Sequence, residues 1–222
     1  MNRITWLTCY AIVVAGYLAA MQLEHTVLMI VCKVLLMPVL ALYFITSQSS
    51  GIVAPGKLVI GGLLFSWVGD TLLLFQATDE LFFLGGLSAF LLAHIFYIFY
   101  FRALLKARQV QLSWIVLLPV AVYYGVLMIV LFPHLGTMQV PVVVYGLVIS
   151  TMLFFALQTV RAVKGGPLMA AGALLFVASD SILAFNRFYQ PFAMAGLLIM
   201  LTYVVAQSWI TEGALVQAAS KK

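Results

Sequence analysis

The sequence predicts an all-α membrane protein, a polytopic bundle of eight transmembrane helices. Of its 222 residues, 65% are hydrophobic and only 8% are charged, and the mean hydropathy is +1.18. So little polar surface cannot cover a water-soluble globule. Apolar runs long enough to cross a bilayer core of ~30 Å recur along the whole chain. A single integral-membrane domain over residues 1–222 is therefore expected, with no room for a soluble domain.

The eight predicted spans follow one another with short connections. They cover residues 4–23, 26–46, 58–76, 81–101, 112–131, 140–160, 167–186 and 192–210. The connections contain residues typical of loops, such as Pro55 after the second span and Pro133 after the fifth. A cleaved signal peptide over residues 1–20 is the competing interpretation of the first span. Its apolar stretch is longer than a typical signal-peptide core, so we expect this span to be retained.

The basic residues predict the orientation of the spans. The net charge is +5, but the bases lie in short clusters between apolar runs, so we expect them to set topology and expect no nucleic-acid partner. The odd-numbered connections contain only Arg187. The N-terminus, the even-numbered connections and the tail contain Arg3, Lys57, Arg102, Lys106, Arg108, Arg161, Lys164, Lys221 and Lys222. This bias predicts an integral protein of the bacterial inner membrane with both termini in the cytoplasm.

An internal repeat is indicated when the sequence is shifted by 110 residues. Asp70 then aligns with Asp180, and the fourth span falls on the eighth. The other matched pairs include Gly62 with Gly172, Leu64 with Leu174, Thr71 with Ser181, Phe75 with Phe185 and Gly86 with Gly196. Two parallel four-helix repeats, 1–110 and 111–222, would account for this match. A pseudo-twofold axis along the membrane normal would bring Asp70 and Asp180 toward one central cavity.

Four ionisable residues fall inside predicted spans: Lys33, Asp70, His94 and Asp180. Charge at the bilayer centre costs ~2.5–3.5 kcal/mol, so these groups should face the bundle interior. Lys33 would keep one carboxylate ionised, whereas burial and like charge would favour the neutral form of the other. The pair would then supply a proton donor and a base. Alternatively, Lys33 pairs with one aspartate only to fix helix packing.

Other polar residues in the spans have both structural and functional interpretations. His94 shares a helical face with Tyr97, as a packed core pair or as part of a site. Tyr203 and Gln207, four residues apart in the last span, form a polar stripe that could hold a headgroup or a water molecule. Three small hydroxyl residues near the aspartates are expected to serve helix packing; they are Ser66, Ser179 and Ser181.

Several other chemistries are not supported by the sequence. Cys9 and Cys32 should differ in depth by ~13 Å, whereas a disulfide needs Cα atoms within about 7 Å, so both thiols are expected to be free. The scattered histidines and cysteines lack the spacing of metal ligands. Neither a nucleophile elbow nor a phosphate-binding glycine loop occurs. We expect no metal and no cofactor.

Four segments resemble one known family across almost the whole chain. They are CKVLLMP at 32–38, GGLLFSWVGDTLLLF at 61–75, FLGGLSAFLLAHIFYI at 83–98 and GALLFVASDSILAF at 172–185. Together they resemble the YhhN family of integral-membrane lysoplasmalogenases. The resemblance implies hydrolysis of the vinyl ether bond of a lysophospholipid within the membrane, giving a fatty aldehyde and glycerophosphocholine or glycerophosphoethanolamine. It also implies that the two essential acids are Asp70 and Asp180.

The paired acids suit this reaction, since a vinyl ether hydrolyses by slow protonation of its β-carbon and capture of the resulting oxocarbenium ion by water. A dry general acid and a nearby carboxylate would catalyse both steps. Lys33 could tune the pair or bind the phosphate. Two alternatives share the same signals: a proton-coupled transporter also keeps acids at midplane, and the VGD and SD segments are similar to those of intramembrane aspartyl proteases.

Overall fold

The computed structural model describes residues 3–48, 51 and 54–220, and within these residues the regular structure is entirely helical. Eight helices are long and apolar enough to cross a membrane, which confirms the predicted fold class and makes this an integral membrane protein. Short 3-10 turns flank α5, and a π-helical turn, Phe185–Tyr189, follows α7. The helices are α1 Arg3–Gln22, α2 Thr26–Thr46, α3 Gly56–Leu73, α4 Glu80–Ala107, α5 Leu117–Leu131, α6 Gln139–Gln158, α7 Gly166–Ala184 and α8 Ala195–Ala219.

The predicted spans and the observed helices differ mainly at two carboxyl ends. α4 continues to Ala107 and α8 to Ala219, beyond the predicted limits of 101 and 210. In both places the apolar run stops, but alanine, leucine and other good helix formers continue. Hydropathy therefore marks where the membrane-length run ends, whereas helix propensity determines where the helix ends.

The chain divides into two compact units between Tyr97 and Ile98, inside α4. α1, α2, α3 and the first part of α4 belong to the N-terminal unit, and the remaining helices belong to the C-terminal unit. The predicted single domain and the predicted repeat with its boundary at residue 110 remain predictions.

In the N-terminal unit, a proline in α2 determines one contact with α3. Pro38 lies inside α2 and has no N–H group, so it cannot donate to the carbonyl of Val34. The indole Nε1 of Trp67 on α3 donates to that oxygen at 2.9 Å. An unpaired carbonyl is costly in hydrocarbon, and the indole therefore stabilises both the proline and the α2–α3 packing.

The α3–α4 contact in this unit is built on glycines beneath aromatic rings. A Cβ atom at Gly62 would lie 2.6 Å from the Tyr97 ring, and one at Gly69 would lie 2.6 Å from the Phe90 ring. Both pairs are seven residues apart on their helices, and this spacing places them on one face. Small residues allow membrane helices to approach closely. The contact fixes the rotation of α3 and hence the direction of Asp70, which follows Gly69.

In the C-terminal unit, α7 and α8 pack backbone against backbone. A Cβ atom at Gly172 would lie 2.7 Å from the Ala206 carbonyl oxygen, and one at Gly165 would lie 2.2 Å from the Gly213 carbonyl oxygen. Gly165 also has a φ of +79°, a conformation that favours glycine. These glycines position α7, which carries Asp180, against α8.

Cys9 and Cys32 are both free thiols, as the sequence predicts. Cys32 is buried, with its Sγ 3.1 Å from the position of a Cβ at Gly16 of α1. Cys9 is only half-buried, because the outer face of α1 is largely uncovered.

Candidate functional site

Asp70 lies near the carboxyl end of α3 and is almost completely buried, with 3% of its surface exposed. Ser66, one helical turn earlier, is also buried. Tyr17 of α1 lies close enough to interact electrostatically with the carboxyl group. Asp70 is thus a buried acid of the N-terminal unit, close to α1 and next to the glycine of α3 that packs against α4. An ionised carboxylate loses most of its hydration in such a place.

Asp180 lies on α7 in a different environment, since it is half-buried and accepts a hydrogen bond from a tyrosine. The hydroxyl of Tyr145, on α6, donates to Oδ2 of Asp180. Tyr145 is itself buried at 8% exposure, so the phenol and the carboxyl meet away from bulk water. A hydrogen bond donated to a carboxylate stabilises its charged form.

A second tyrosine contacts the residue that follows Asp180. The hydroxyl oxygens of Tyr123, on α5, and Ser181 are 2.6 Å apart, and the Ser181 hydroxyl also donates to the Val177 carbonyl oxygen at 2.5 Å. A serine hydroxyl has one proton. Because that proton points to Val177, Tyr123 must be the donor to Ser181. The C-terminal unit therefore contains a polar cluster of Tyr123, Tyr145, Asp180 and Ser181.

Lys33, His94 and Tyr97 lie in the N-terminal unit with Asp70. Lys33 is half-buried on α2. His94 and Tyr97 are both fully buried on α4, and Tyr97 covers Gly62. Tyr97 therefore packs α4 against α3.

Tyr203 and Gln207 lie on α8, and both are buried. The Tyr203 ring meets the Phe176 ring edge-on, with centroids 5.5 Å apart, which is a packing contact between α7 and α8. Two of the small hydroxyl residues also serve packing: Ser66 is buried in α3, and Ser179 donates to the Ile199 carbonyl oxygen of α8 at 3.0 Å.

Sequence reasoning missed the tyrosines around both acids. Tyr17, Tyr123 and Tyr145 each lie within an apolar span, where a tyrosine is easily counted as another aromatic core residue. Of the three, only Tyr145 directly precedes a glycine, Gly146, and no sequence signal singles out the other two. Ser181 belongs to this polar cluster as well as to helix packing. Among the described residues no group of three or more potential metal ligands occurs.

Comparison with known proteins gives the family. The model of the YhhN family matches residues 28–214. The human lysoplasmalogenase TMEM86B is 35% identical over 182 residues, which are 81% of this chain and 73% of the human protein. The pig lysoplasmalogenase TMEM86B is 38% identical over 151 residues, 68% of this chain and 60% of that protein.

A bacterial relative extends this similarity. The lysoplasmalogenase of Mycobacterium bovis is 34% identical over 161 residues, 70% of this chain and 59% of that protein. The chain thus spans about three quarters of the human relative's length and about three fifths of the pig and mycobacterial ones. No solved structure matches the chain. With a family match over most of its length and relatives more than 30% identical, this protein belongs to the YhhN family.

Proposed function

We propose that this protein hydrolyses the vinyl ether bond of lysoplasmalogens, releasing a fatty aldehyde and glycerophosphocholine or glycerophosphoethanolamine. The observation that carries the proposal is the family match over residues 28–214, together with relatives that bear the name lysoplasmalogenase. A lysophospholipid dissolved in the bilayer could reach the protein laterally. The eight apolar helices suit such a substrate.

The chemistry that we propose uses Asp70 and Asp180 on one bound lipid. One carboxylic acid protonates the β-carbon of the vinyl ether, and the C=C electron pair forms the new C–H bond. The resulting oxocarbenium ion is stabilised by the other carboxylate, which also takes a proton from the attacking water. The hemiacetal then breaks its bond to the glycerol oxygen and leaves an aldehyde. Lys33, His94, Tyr97, Tyr203 and Gln207 are candidates for tuning the acids or binding the lipid.

The decisive experiment offers purified protein a lysoplasmalogen and its saturated-ether analogue. We expect aldehyde only from the vinyl ether, because the saturated chain has no double bond to protonate. Transport of a solute by proteoliposomes without aldehyde release would favour a proton-coupled transporter. Cleavage of a membrane peptide would favour an aspartyl protease, and either result without aldehyde would refute the proposed function.

Isotopes identify the atom that is protonated. In deuterated water, the trapped aldehyde should carry deuterium next to its carbonyl carbon, and the rate should fall because proton transfer to carbon is slow. In water labelled with heavy oxygen, the glycerol product should remain unlabelled, because water attacks the alkenyl carbon. Heavy oxygen in the glycerol product would instead indicate displacement at the glycerol carbon.

We also propose that both termini face the cytoplasm and that the protein belongs to the bacterial inner membrane, because the basic residues cluster on one set of connections. In a background with Cys9 and Cys32 replaced by alanine, Asp79→Cys should react with an impermeant thiol reagent applied from outside. Lys106→Cys should react only after the membrane is opened. The opposite labelling pattern would invert the topology.

A further inference from the structure

We propose that a groove at one end of the C-terminal unit binds the headgroup of an anionic phospholipid, with Arg161 as the main contact to its phosphate. The groove has a volume of about 700 Å³. It lies between the connection that follows α4 and the connection that follows α6. The site is separate from Asp180 and binds a lipid that is not hydrolysed, so it goes beyond the proposed function.

A buried glutamine builds one wall of this groove. Gln158, at the carboxyl end of α6, is 8% exposed. Its Nε2 donates to the Ser113 carbonyl oxygen at 2.8 Å, and its Oε1 accepts from the Ser113 N–H at 3.1 Å. The two hydrogen bonds hold the segment that precedes α5 against α6. The groove is therefore a fixed feature of the fold.

Basic side chains surround the groove. Arg161 lines it and also lines an adjoining groove together with Arg108 and Lys164. A third groove, which shares a lining residue with the first, contains Arg102 and Lys106. Among the residues that the structure describes, no acid lines any of the three grooves. Such an excess of positive charge favours a headgroup with a net negative charge over a zwitterionic one.

The rest of the lining suits a lipid better than a soluble anion. Most of the lining residues are apolar, including Ile115 and Pro119. Ile115 is 79% exposed, so its side chain would contact lipid chains in a membrane. Trp114 beside it is also exposed, and its ring stacks on the Phe154 ring with centroids 6.1 Å apart. Tryptophan is enriched at the depth of the headgroups. A phosphate in the groove would therefore have its acyl chains beside an apolar wall.

A lipid in this groove cannot be the one that reacts at Asp180. Arg161 precedes α7, which begins at Gly166, and Asp180 lies near the other end of that helix. At a rise of 1.5 Å per residue, Gly166 and Asp180 are ~21 Å apart along the helix axis. In a lysoplasmalogen the vinyl ether is only a few bonds from the phosphate. The groove therefore holds a second, unreacting lipid.

Native mass spectrometry of the purified full chain tests the site without turnover. The probes are phosphatidylglycerol and phosphatidylcholine with identical acyl chains, and the wild type should bind phosphatidylglycerol more tightly. Arg161→Gln should weaken phosphatidylglycerol binding about fivefold, the effect of one base near an anionic headgroup, and should leave phosphatidylcholine binding unchanged. Lys57→Gln is the matched control and should change neither, because Lys57 is an exposed base on α3 of the N-terminal unit.

A second variant separates the shape of the groove from its charge. Gln158→Met removes both hydrogen bonds to Ser113 but no base, and it should also weaken phosphatidylglycerol binding. Thermal unfolding shows whether this variant is folded; if it is not, the comparison of Arg161→Gln with Lys57→Gln decides alone.

Three results would overturn the proposal: equal binding of both lipids by the wild type, equal weakening by Arg161→Gln and Lys57→Gln, or unchanged phosphatidylglycerol binding in folded Gln158→Met. Displacement of the lipid by inorganic phosphate or by an acidic peptide at the lipid's own concentration would also overturn it, because the ligand would then be a soluble one.

Discussion

The two helix pairs that carry the aspartates use the same kind of sequence for two kinds of packing. In the α3–α4 pair, Gly62 lies beneath the Tyr97 ring. In the α7–α8 pair, the glycine related to it by the 110-residue shift, Gly172, lies against the backbone at Ala206. A ring can rotate or shift, whereas a helix backbone cannot without moving the whole helix. The α7–α8 contact should therefore tolerate substitution less well.

The two aspartate segments have the same local hydrogen bond, but different residues from neighbouring helices surround the two carboxyl groups. The residue after each aspartate donates to the carbonyl four residues earlier, Thr71 to Trp67 at 2.8 Å and Ser181 to Val177 at 2.5 Å. The hydroxyl that donates to Asp180 is not local in sequence, since Tyr145 lies on another helix. Similar segments can thus place two acids in unlike surroundings.

The largest expected effect is on catalysis. Asp70→Asn and Asp180→Asn should each lower aldehyde release by about 10²–10⁴-fold, because each removes one of two unlike protonation states. The assay compares variants at matched protein concentration after gel filtration. Asp79→Asn is the matched control, since Asp79 lies before α4 and its Oδ1 accepts from the Leu81 N–H at 2.8 Å, a bond that asparagine can keep. A near-normal rate of aldehyde release in either Asp70→Asn or Asp180→Asn would refute the paired-acid mechanism.

The eight helices could be predicted because the length of each apolar run is a property of the sequence itself. The candidate acids Asp70 and Asp180 are recognised in the sequence because they interrupt apolar runs. The hydrogen bond from Tyr145 to Asp180 could not be predicted in this way, because it depends on which helix face meets Asp180. Likewise, the pairing of Trp67 with Val34 follows from Pro38 only once the neighbour of α2 is known. Hydropathy identifies helices, but contacts between helices decide the chemistry.

A glycine series tests the difference in packing. Gly165→Ala should destabilise the protein by about 2–5 kcal/mol, because the new Cβ would approach the Gly213 backbone and the left-handed conformation would be strained. Gly172→Ala should cost about 1–3 kcal/mol through its clash with the Ala206 carbonyl. Both are measured by thermal unfolding of the purified protein in detergent.

Two substitutions elsewhere complete the series. Gly61→Ala would meet the ring of half-buried Phe96, and it should cost about 1 kcal/mol or less because this ring can move outward. Gly125→Ala would meet nothing within 4 Å and should be neutral or gain up to ~1 kcal/mol from its helix propensity. If Gly61→Ala destabilised the protein as much as Gly172→Ala, the distinction between ring and backbone contacts would be wrong.

A separate pair of predictions concerns single hydrogen bonds that join helices within each unit. Trp67→Phe should cost about 1–3 kcal/mol, because it leaves the Val34 carbonyl without the indole donor. Ser179→Ala should cost about 0.6 kcal/mol. It removes the hydroxyl that donates to the Ile199 carbonyl oxygen, but this oxygen still accepts the backbone hydrogen bond of a regular helix.

Pro38→Ala is the control that isolates the unpaired carbonyl in α2. Alanine restores an N–H group at position 38, which can donate to the Val34 carbonyl as in a regular helix. Trp67→Phe should therefore cost less in the Pro38→Ala background than in the wild type, with only the packing loss remaining. The measurement is a double-mutant cycle of thermal unfolding. Equal costs in both backgrounds would mean that the indole stabilises α2 and α3 by packing alone and not by satisfying the carbonyl that proline leaves open.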